Sequence, residues 1–200
     1  MNATPESVLD FWFGTFGSAS EIAGRQRKLW FGKMAENDQA VDERFSATLA
    51  AASAGKLDHW ANSPRGRLAL VIVLDQFPHH IFRDQAKAFA TDPQALALSL
   101  AALKANEDLQ LTPIERVFLY LPLEHAESSE MQARSVSLYA ALANDAAADE
   151  RDLFAGFLDY ARKHRDIVER FGRFPHRNAI LGRPSTPAEL EFLEQPGSRF

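Results

Sequence analysis

The sequence contains no cysteine, which excludes disulfide bonds, thiolate nucleophiles and metal centres held by cysteine. It also has no long apolar segment. The longest uninterrupted run, from Leu68 to Leu74, has seven residues, whereas a membrane-spanning helix needs about 20. Residues Met1 to Ser7 lack the basic start and apolar stretch of a signal peptide. We therefore expect a cytoplasmic protein without a membrane-spanning segment.

Residues typical of β-strands are scarce. The chain of 200 residues contains 32 Ala but only 7 Val, 6 Ile and 6 Thr, and Ala favours helices whereas β-branched residues favour strands. No segment shows sustained alternation of apolar and polar residues. These features predict an all-α fold. Because no stretch rich in Pro, Gly or Ser divides the chain, residues 1–200 are expected to form a single domain.

Common catalytic signatures are also missing. The sequence has no glycine-rich phosphate loop, no Gly-x-Gly-x-x-Gly, no Gly-x-Ser-x-Gly elbow and no His-Glu-x-x-His zinc motif. This weakens nucleotide hydrolysis, dinucleotide-dependent redox chemistry and serine hydrolysis as functions, and no metal or cofactor is predicted. The formal net charge of −5 argues against general nucleic-acid binding.

Helix starts recur as a capping side chain followed by proline, which fills the first helical position. They are Thr4-Pro5, Ser63-Pro64, Asp92-Pro93, Thr112-Pro113 and Thr186-Pro187. The predicted helices cover 5–13, 20–31, 36–54, 64–77, 93–105, 113–121, 129–143, 149–171 and 187–193. The short links between these nine helices predict antiparallel neighbours stacked in pairs.

A basic segment lies near the C-terminus. From Arg162 to Arg183 there are seven basic and two acidic residues, a charge of +5 against −10 for the remainder, and arginine binds carboxylate or phosphate in a bidentate manner. The candidate anion-binding residues are Arg173, His176, Arg177, Asn178 and Arg183, with Arg83 and His164 in addition. The alternative is that these arginines pair with the acidic remainder and hold the last loop in place. His164 lies on an apolar stripe, and a lone histidine on such a face is more often a core residue than a site residue.

A second candidate region surrounds Asp75, which follows seven apolar residues and is therefore predicted to be buried. A buried carboxylate needs a cation or several hydrogen-bond donors. His79 and Arg83 are the nearest partners along the chain. Pro78 lacks an N–H and crowds the carbonyl of Leu74, so the helix is expected to end or kink there.

A third region holds His125 between carboxylates, after Pro122, which is expected to disrupt the end of its helix. Neighbouring carboxylates raise the pKa of a histidine and orient it, and histidine with glutamate forms a plausible acid–base pair. The candidate catalytic residues are therefore His125, Glu124, His176 and Asp75.

Several motifs follow one another along the chain. They are Asp10-Phe-Trp-Phe-Gly14, Leu74-Asp-Gln-Phe-Pro78, Phe89-Ala-Thr-Asp92, Phe118-Leu-Tyr-Leu-Pro122 with Glu124-His125, and Arg170-Phe-Gly-Arg-Phe-Pro-His-Arg-Asn178. In this order they resemble an uncharacterised, mainly bacterial family known as domain of unknown function 924. The resemblance implies a fold like the tetratricopeptide arrays and brings no established activity. The chain departs from the family at His79-His80, where arginine and asparagine are usual. Arg83 keeps the family character.

Three functions remain open at this stage. The first is a binding module for an anionic small molecule or an acidic peptide segment, since helical arrays form concave binding surfaces. The second is an enzyme acting on a phosphorylated or carboxylated substrate, with histidine and glutamate as acid and base and arginine stabilising charge. The third is a structural or assembly role. The sequence leaves the oligomeric state open.

Overall fold

The fold, taken from a computed structural model that describes residues 3–14 and 16–198, is all-α, as predicted. No strand occurs in the described ranges. The α-helices are α1 (Pro5–Phe13), α2 (Ala19–Phe31), α3 (Ala35–Ser53), α4 (Pro64–Val71), α5 (Phe77–Ile81), α6 (Asp92–Lys104), α7 (Pro113–His125), α8 (Ser129–Asp145), α9 (Arg151–Phe171) and α10 (Pro187–Leu193). Short 3₁₀ turns occupy Asp58–Asn62, Ala86–Phe89, Glu107–Gln110 and Pro175–Arg177.

The predicted helix starts lie within two residues of these bounds because local side chains determine them. Thr112 and Thr186, two of the predicted capping residues, form capping boxes, each with a glutamate three residues later, so that free N–H groups of the first turn are satisfied. At the C-terminal end of α9, Gly172 adopts a left-handed conformation with φ 69°, as a C-terminal cap requires.

The core forms where α1, α2, α5 and α7 meet, around an aromatic cluster. Phe118 is fully buried, and its ring centroid lies 4.6 Å from that of Trp30 and 5.5 Å from that of Trp12. Trp12 also contacts Phe77, at 5.7 Å. The apolar residues Leu68 to Val71 of helix α4 are all buried, and the helix packs against α1, α6 and α7.

The helix that begins at Pro64 does not end at Pro78. Instead, the segment Ile72–Gln76 widens into a π-helical turn, in which the N–H of Phe77 donates to the carbonyl of Ile72, and α5 follows directly. Pro78 has no N–H for the carbonyl of Leu74, and the Thr91 hydroxyl donates to that carbonyl over 2.5 Å. The disruption predicted at Pro78 therefore takes the form of a π turn, which carries Asp75.

Helices α7, α8 and α9 pack in succession. Helix α7 runs through Pro122 for three further residues, to His125, so its predicted end at 121 was one turn too early. Gln132 of α8 donates to the carbonyls of Glu124 and Ala126, at 2.6 and 2.8 Å, and these bonds satisfy acceptors that the helix end leaves free. These two bonds hold the end of α7, with Glu124 and His125, in place. In the described part of the chain, no helix combines the length and the apolar character needed to cross a bilayer.

Candidate functional site

The centre of the candidate site is a hydrogen bond between a buried carboxylate and a histidine. The Nδ1 of His125 lies 2.9 Å from Oδ1 of Asp75, and Gln76 donates to the other carboxylate oxygen over 2.6 Å. Asp75 is fully buried, whereas the side chain of His125 keeps 16% of its exposure. Asp75 thus has the histidine partner that its burial required, but that partner is His125 rather than His79 or Arg83.

Opposite electrostatic effects act on the two members of this pair. Burial alone raises the pKa of Asp75, but the charge and hydrogen bond of His125 outweigh it and hold that pKa below its usual value. Burial alone lowers the pKa of His125, but the negative charge of Asp75 outweighs it and raises that pKa. The pair therefore favours a carboxylate next to an imidazolium.

Two further imidazoles flank His125, and the three rings are called the imidazole cluster below. The ring centroid of His125 lies 5.5 Å from that of His79 and 6.4 Å from that of His164. Burial, reinforced by the positive charge of His125, lowers the pKa of His79 to about 3. Burial likewise lowers the pKa of His164 to about 3. At neutral pH the two flanking rings are therefore uncharged.

Glu124 lies behind the imidazole cluster, in the interior. Its Oε1 is 3.1 Å from Nδ1 of His164, and the same nitrogen is 2.9 Å from the carbonyl of Tyr160, to which it donates. Burial raises the pKa of Glu124 to about 8, with help from the negative charge of Asp75 and against the opposing effect of His125. Glu124 is therefore a neutral acid at pH 7, and it contacts His164 rather than the adjacent His125.

Arg177 forms the other side of the site, between two phenylalanine rings. Its guanidinium carbon lies 4.6 Å from the ring centroid of Phe89 and 4.7 Å from that of Phe174. Phe89 also touches His79, at 5.3 Å, and Phe174 touches His164, at 5.5 Å. The two phenylalanines thus join Arg177 to the imidazole cluster from both sides.

His176 lies next to Arg177 and packs on Phe174, with a ring distance of 5.6 Å. Burial and the charge of Arg177 lower its pKa to about 4. His176 is therefore neutral at pH 7 and lies one aromatic ring away from His164. Of the four candidate catalytic residues, the structure brings Asp75 and His125 into direct contact and leaves Glu124 and His176 at the edges of the cluster.

Two of the candidate anion-binding arginines in the C-terminal region already have bidentate protein partners. Arg173 donates to both oxygens of Glu189 at 2.6 and 2.8 Å. Arg183 donates to Glu127 at 2.6 and 2.8 Å and also to the Asn178 amide oxygen. In these contacts the arginines hold the last loop, which is the alternative that the charge pattern allowed.

The remaining candidates lie in similar internal contacts. Arg83 donates to both oxygens of Asp38, each at 2.6 Å, and Asp38 also bonds to His80 at 2.8 Å. Asn178 is buried and donates to Ser185 over 3.0 Å. The Arg83 cluster links α3 to the end of α5, and the Asn178 contact links two parts of the last loop.

The site is open at one side and closed at the other. Its partly exposed members are His79, Phe89, Asp92, His125 and His176, and its buried members are Asp75, Glu124, His164, Phe174 and Arg177. Apart from His79 in α5 and His164 in α9, they come from a helix end, a 3₁₀ turn, a loop or the π turn. Such positions leave polar groups without regular helical bonds, so they are available for a site. Within residues 3–14 and 16–198, no three His, Asp or Glu side chains are arranged to hold a metal ion.

Sequence reasoning did not single out Phe89, Asp92 or Phe174 as site residues. Asp92 was assigned only a capping role, yet its Oδ2 lies 3.4 Å from Nη1 of Arg177. Burial and the negative charge of Asp75 raise the pKa of Asp92 to about 6. The available signals were two of the family motifs: Phe89-Ala-Thr-Asp92 contains Phe89 and Asp92, and the motif from Arg170 to Asn178 contains Phe174.

Comparison with known proteins places the chain in a family without naming a reaction. Residues 8–197 match the family model described as a bacterial protein of unknown function, DUF924. A solved structure of a protein of unknown function from Agrobacterium tumefaciens is similar, with 38% sequence identity and a TM-score of 0.80, and the match covers 96% of this chain and 97% of that one. The search of curated proteins gave no match. The chain therefore belongs to the DUF924 family of bacterial proteins of unknown function.

Proposed function

We propose that the protein is an enzyme that uses His125 for general acid–base catalysis, with Asp75 as the positioning residue. The observation that supports this most is the 2.9 Å contact between Asp75 and Nδ1 of a histidine that stays partly exposed. A buried carboxylate that holds one ring nitrogen of a histidine fixes the tautomer and the ring orientation. The arrangement suits proton transfer at the opposite nitrogen.

In this proposal, proton exchange occurs at Nε2 of His125. Nδ1 keeps its proton in the bond to Asp75, so the neutral ring has a lone pair on Nε2 that accepts a proton from water or from an acidic group of the substrate. Asp75 then stabilises the imidazolium that forms. Gln76 holds the second oxygen of Asp75 over 2.6 Å, so the carboxylate cannot rotate away from His125.

The neutral rings on either side support the same role. A charged imidazole 5 to 6 Å away would oppose the formation of the His125 imidazolium, because like charges in a poorly solvated site repel strongly. His79 and His164, each with a pKa of about 3, carry no charge at neutral pH. They leave the positive charge to His125 alone within the imidazole cluster.

The competing candidate is an anion-binding module that catalyses nothing. Arg177 favours it, because this arginine is buried beside the imidazole cluster without the bidentate carboxylate that Arg173 and Arg183 have. The two candidates differ in what they require of His125, since simple binding needs no proton transfer at that ring.

The discriminating experiment screens chromogenic carboxylate and phosphate esters for turnover by wild type, His125→Gln and a matched control. His59→Gln serves as that control, because His59 is exposed and lies on a separate 3₁₀ turn. We expect His125→Gln to lower kcat by about 10²- to 10⁴-fold, the usual contribution of general acid–base catalysis, and His59→Gln to leave it unchanged. Equal turnover in His125→Gln, or anion binding without turnover of any ester, would favour the binding module.

A further inference from the structure

Arg177 is paired differently from the other arginines described above. Arg83, Arg173 and Arg183 each donate two bonds of 2.6 to 2.8 Å to one carboxylate, which is the usual length of a charge-assisted hydrogen bond. Arg177 makes a single contact of 3.4 Å, from Nη1 to Oδ2 of Asp92. Its pairing is therefore much weaker, although it is the most buried of the four.

Unsatisfied polar atoms gather at the same place. Nε of Arg177, Oδ1 of Asp92 and Nε2 of His79 are all buried and lack a hydrogen-bond partner among the described residues. A buried polar atom without a partner costs free energy, so it needs an explanation. These three atoms, one of them on Arg177 itself, fit a site that is completed by a ligand.

We propose that Arg177 binds an oxyanion group of the substrate, a carboxylate or a phosphate, and that Asp92 is the internal anion that such a group replaces. This inference rests on the proposed function, because it assigns the substrate class of the same site. The oxyanion would take the fork of the guanidinium in a bidentate manner, while Phe89 and Phe174 hold that fork in a fixed plane from its two faces.

The position of Arg177 allows the anion to reach the catalytic histidine. Phe89 touches both the Arg177 guanidinium and the His79 ring, and the His79 ring is next to that of His125. Charge interactions link Asp92 with both His125 and Arg177. In this proposal a small anion enters beside His125, Phe89 and Asp92, which are partly exposed, and a charge interaction already links Arg177 with His125.

Asp92 is suited to be displaced. One of its oxygens has no partner and the other makes only the long contact to Arg177, so little bonding is lost when it moves. Burial raises its pKa to about 6, and the negative charges of Asp75 and Glu127 add to this effect. A substrate anion that bonds to Arg177 at ordinary distances would compensate the guanidinium better than Asp92 does.

The test measures thermal unfolding against inorganic phosphate and, separately, against acetate at pH 7. We expect at least one of these anions to raise the Tm of wild type, by about 5 to 10 °C at 100 times its Kd, and the shift to vanish in Arg177→Gln. Arg170→Gln is the matched control, since Arg170 is an exposed arginine on α9 that stacks on Phe171 and Phe192. Phosphate alone or acetate alone as the stabilising anion identifies which oxyanion class the site takes.

Asp92→Asn gives an independent arm in case Arg177→Gln does not fold. Removing the internal anion should tighten the Kd of the stabilising anion by about tenfold. A shift that survives in Arg177→Gln, the absence of any shift with both anions, or an unchanged Kd in Asp92→Asn would overturn the inference. His125→Gln separates the two proposals: it should keep the anion-induced shift while turnover is lost. If it keeps both, the acid–base proposal fails while the anion site stands.

Discussion

The imidazole of His125 and the carboxylate of Asp75 are 50 residues apart in sequence and 2.9 Å apart in space. Their contact joins the last turn of α7 to the π turn that precedes α5. A fully buried carboxylate is stable there only because this ring and Gln76 compensate it. The same bond that offsets the cost of burial also orients the ring to which the proposed function assigns proton transfer.

Asp75→Asn is expected to lower the pKa of His125. The negative charge of Asp75 raises that pKa against the effect of burial, so an uncharged amide leaves burial as the dominant influence. NMR titration of the histidine side chains measures the change. An unaltered His125 titration would show that Asp75 does not control its charge.

The stability of the protein should depend on pH because of the same raised pKa of His125. The folded-state pKa of His125 lies above its unfolded value of about 6.5, so the pair stabilises the fold fully below pH 6.5 and loses this contribution as the pH rises through the folded pKa. Urea unfolding at pH 6 and pH 9 should therefore show a larger decrease in the free energy of unfolding for wild type than for Asp75→Asn. Equal losses in the two proteins would contradict the assignment.

Glu124→Gln should reduce the decrease in stability that wild type shows as the pH rises. Burial raises the pKa of Glu124 from 4.5 to about 8, so the folded state holds a proton that the unfolded state has released between those two values. The free energy of unfolding must then fall as the pH rises through this window. Glutamine cannot ionise and keeps an oxygen for Nδ1 of His164.

Chemical denaturation from pH 5 to pH 9 measures this effect. We expect a smaller decrease in Glu124→Gln than in wild type, and an unchanged decrease in Glu130→Gln, which alters an exposed carboxylate at the start of α8. Matching pH profiles for wild type and Glu124→Gln would mean that Glu124 is ionised in the folded protein.

Glu189→Gln should loosen the end of the chain. The hydrogen bonds from Arg173 lower the pKa of Glu189 to about 2, with help from Thr186. A lowered carboxyl pKa stabilises the fold above the unfolded value of 4.5, and this contribution is lost as the pH falls from about 4.5 to 2. Faster amide hydrogen exchange in α10 of Glu189→Gln at pH 7 measures the effect.

The same exchange difference must shrink on acidification. At pH 3 part of the stabilisation by the Glu189 carboxylate is already lost in wild type. The rates of hydrogen exchange in α10 of wild type and Glu189→Gln should therefore become more similar. A control, Glu191→Gln, alters an exposed carboxylate on the same helix and should leave exchange in α10 unchanged. Identical exchange in wild type and Glu189→Gln at pH 7 would assign the anchoring of α10 to its apolar contacts instead.

Local features of the fold could be predicted from the sequence because neighbouring residues determine them. The capping threonines and the prolines behind them mark helix starts, and Gly172 marks the end of α9. The burial of Asp75 also followed from the apolar run before it. Its partner did not, because helix packing brings His125 to it from 50 residues away.

The basic segment shows a different limit. Its charge of +5 is compatible both with binding a ligand and with internal pairing, since composition does not state where acidic residues lie in space. The structure pairs Arg173 with Glu189 and Arg183 with Glu127, and it leaves Arg177 between Phe89 and Phe174. That aromatic arrangement joins residues 85 positions apart, which no local pattern indicates.

Gly66→Ala is expected to destabilise the protein although alanine favours helices. A Cβ at position 66 would lie 2.1 Å from the carbonyl oxygen of Trp60. That oxygen belongs to the backbone of a 3₁₀ turn packed against α4, so it cannot move aside as a flexible side chain can. Overpacking of this kind costs about 1 to 3 kcal/mol or more, which exceeds the helical gain from alanine of about 1 kcal/mol.

Gly156→Ala is the matched control, because it makes the same substitution inside α9 where a Cβ meets nothing within 4 Å. It should stabilise the protein by about 0.5 to 1 kcal/mol. Urea denaturation with equal m-values compares the two variants. If both variants are stabilised to the same extent, the backbone at Trp60 can shift at little cost in free energy. The position of α4 then does not depend on the close approach of Gly66 to the Trp60 carbonyl. Opposite signs show that Gly66 is required by that approach, because helix propensity alone predicts the same sign at both positions.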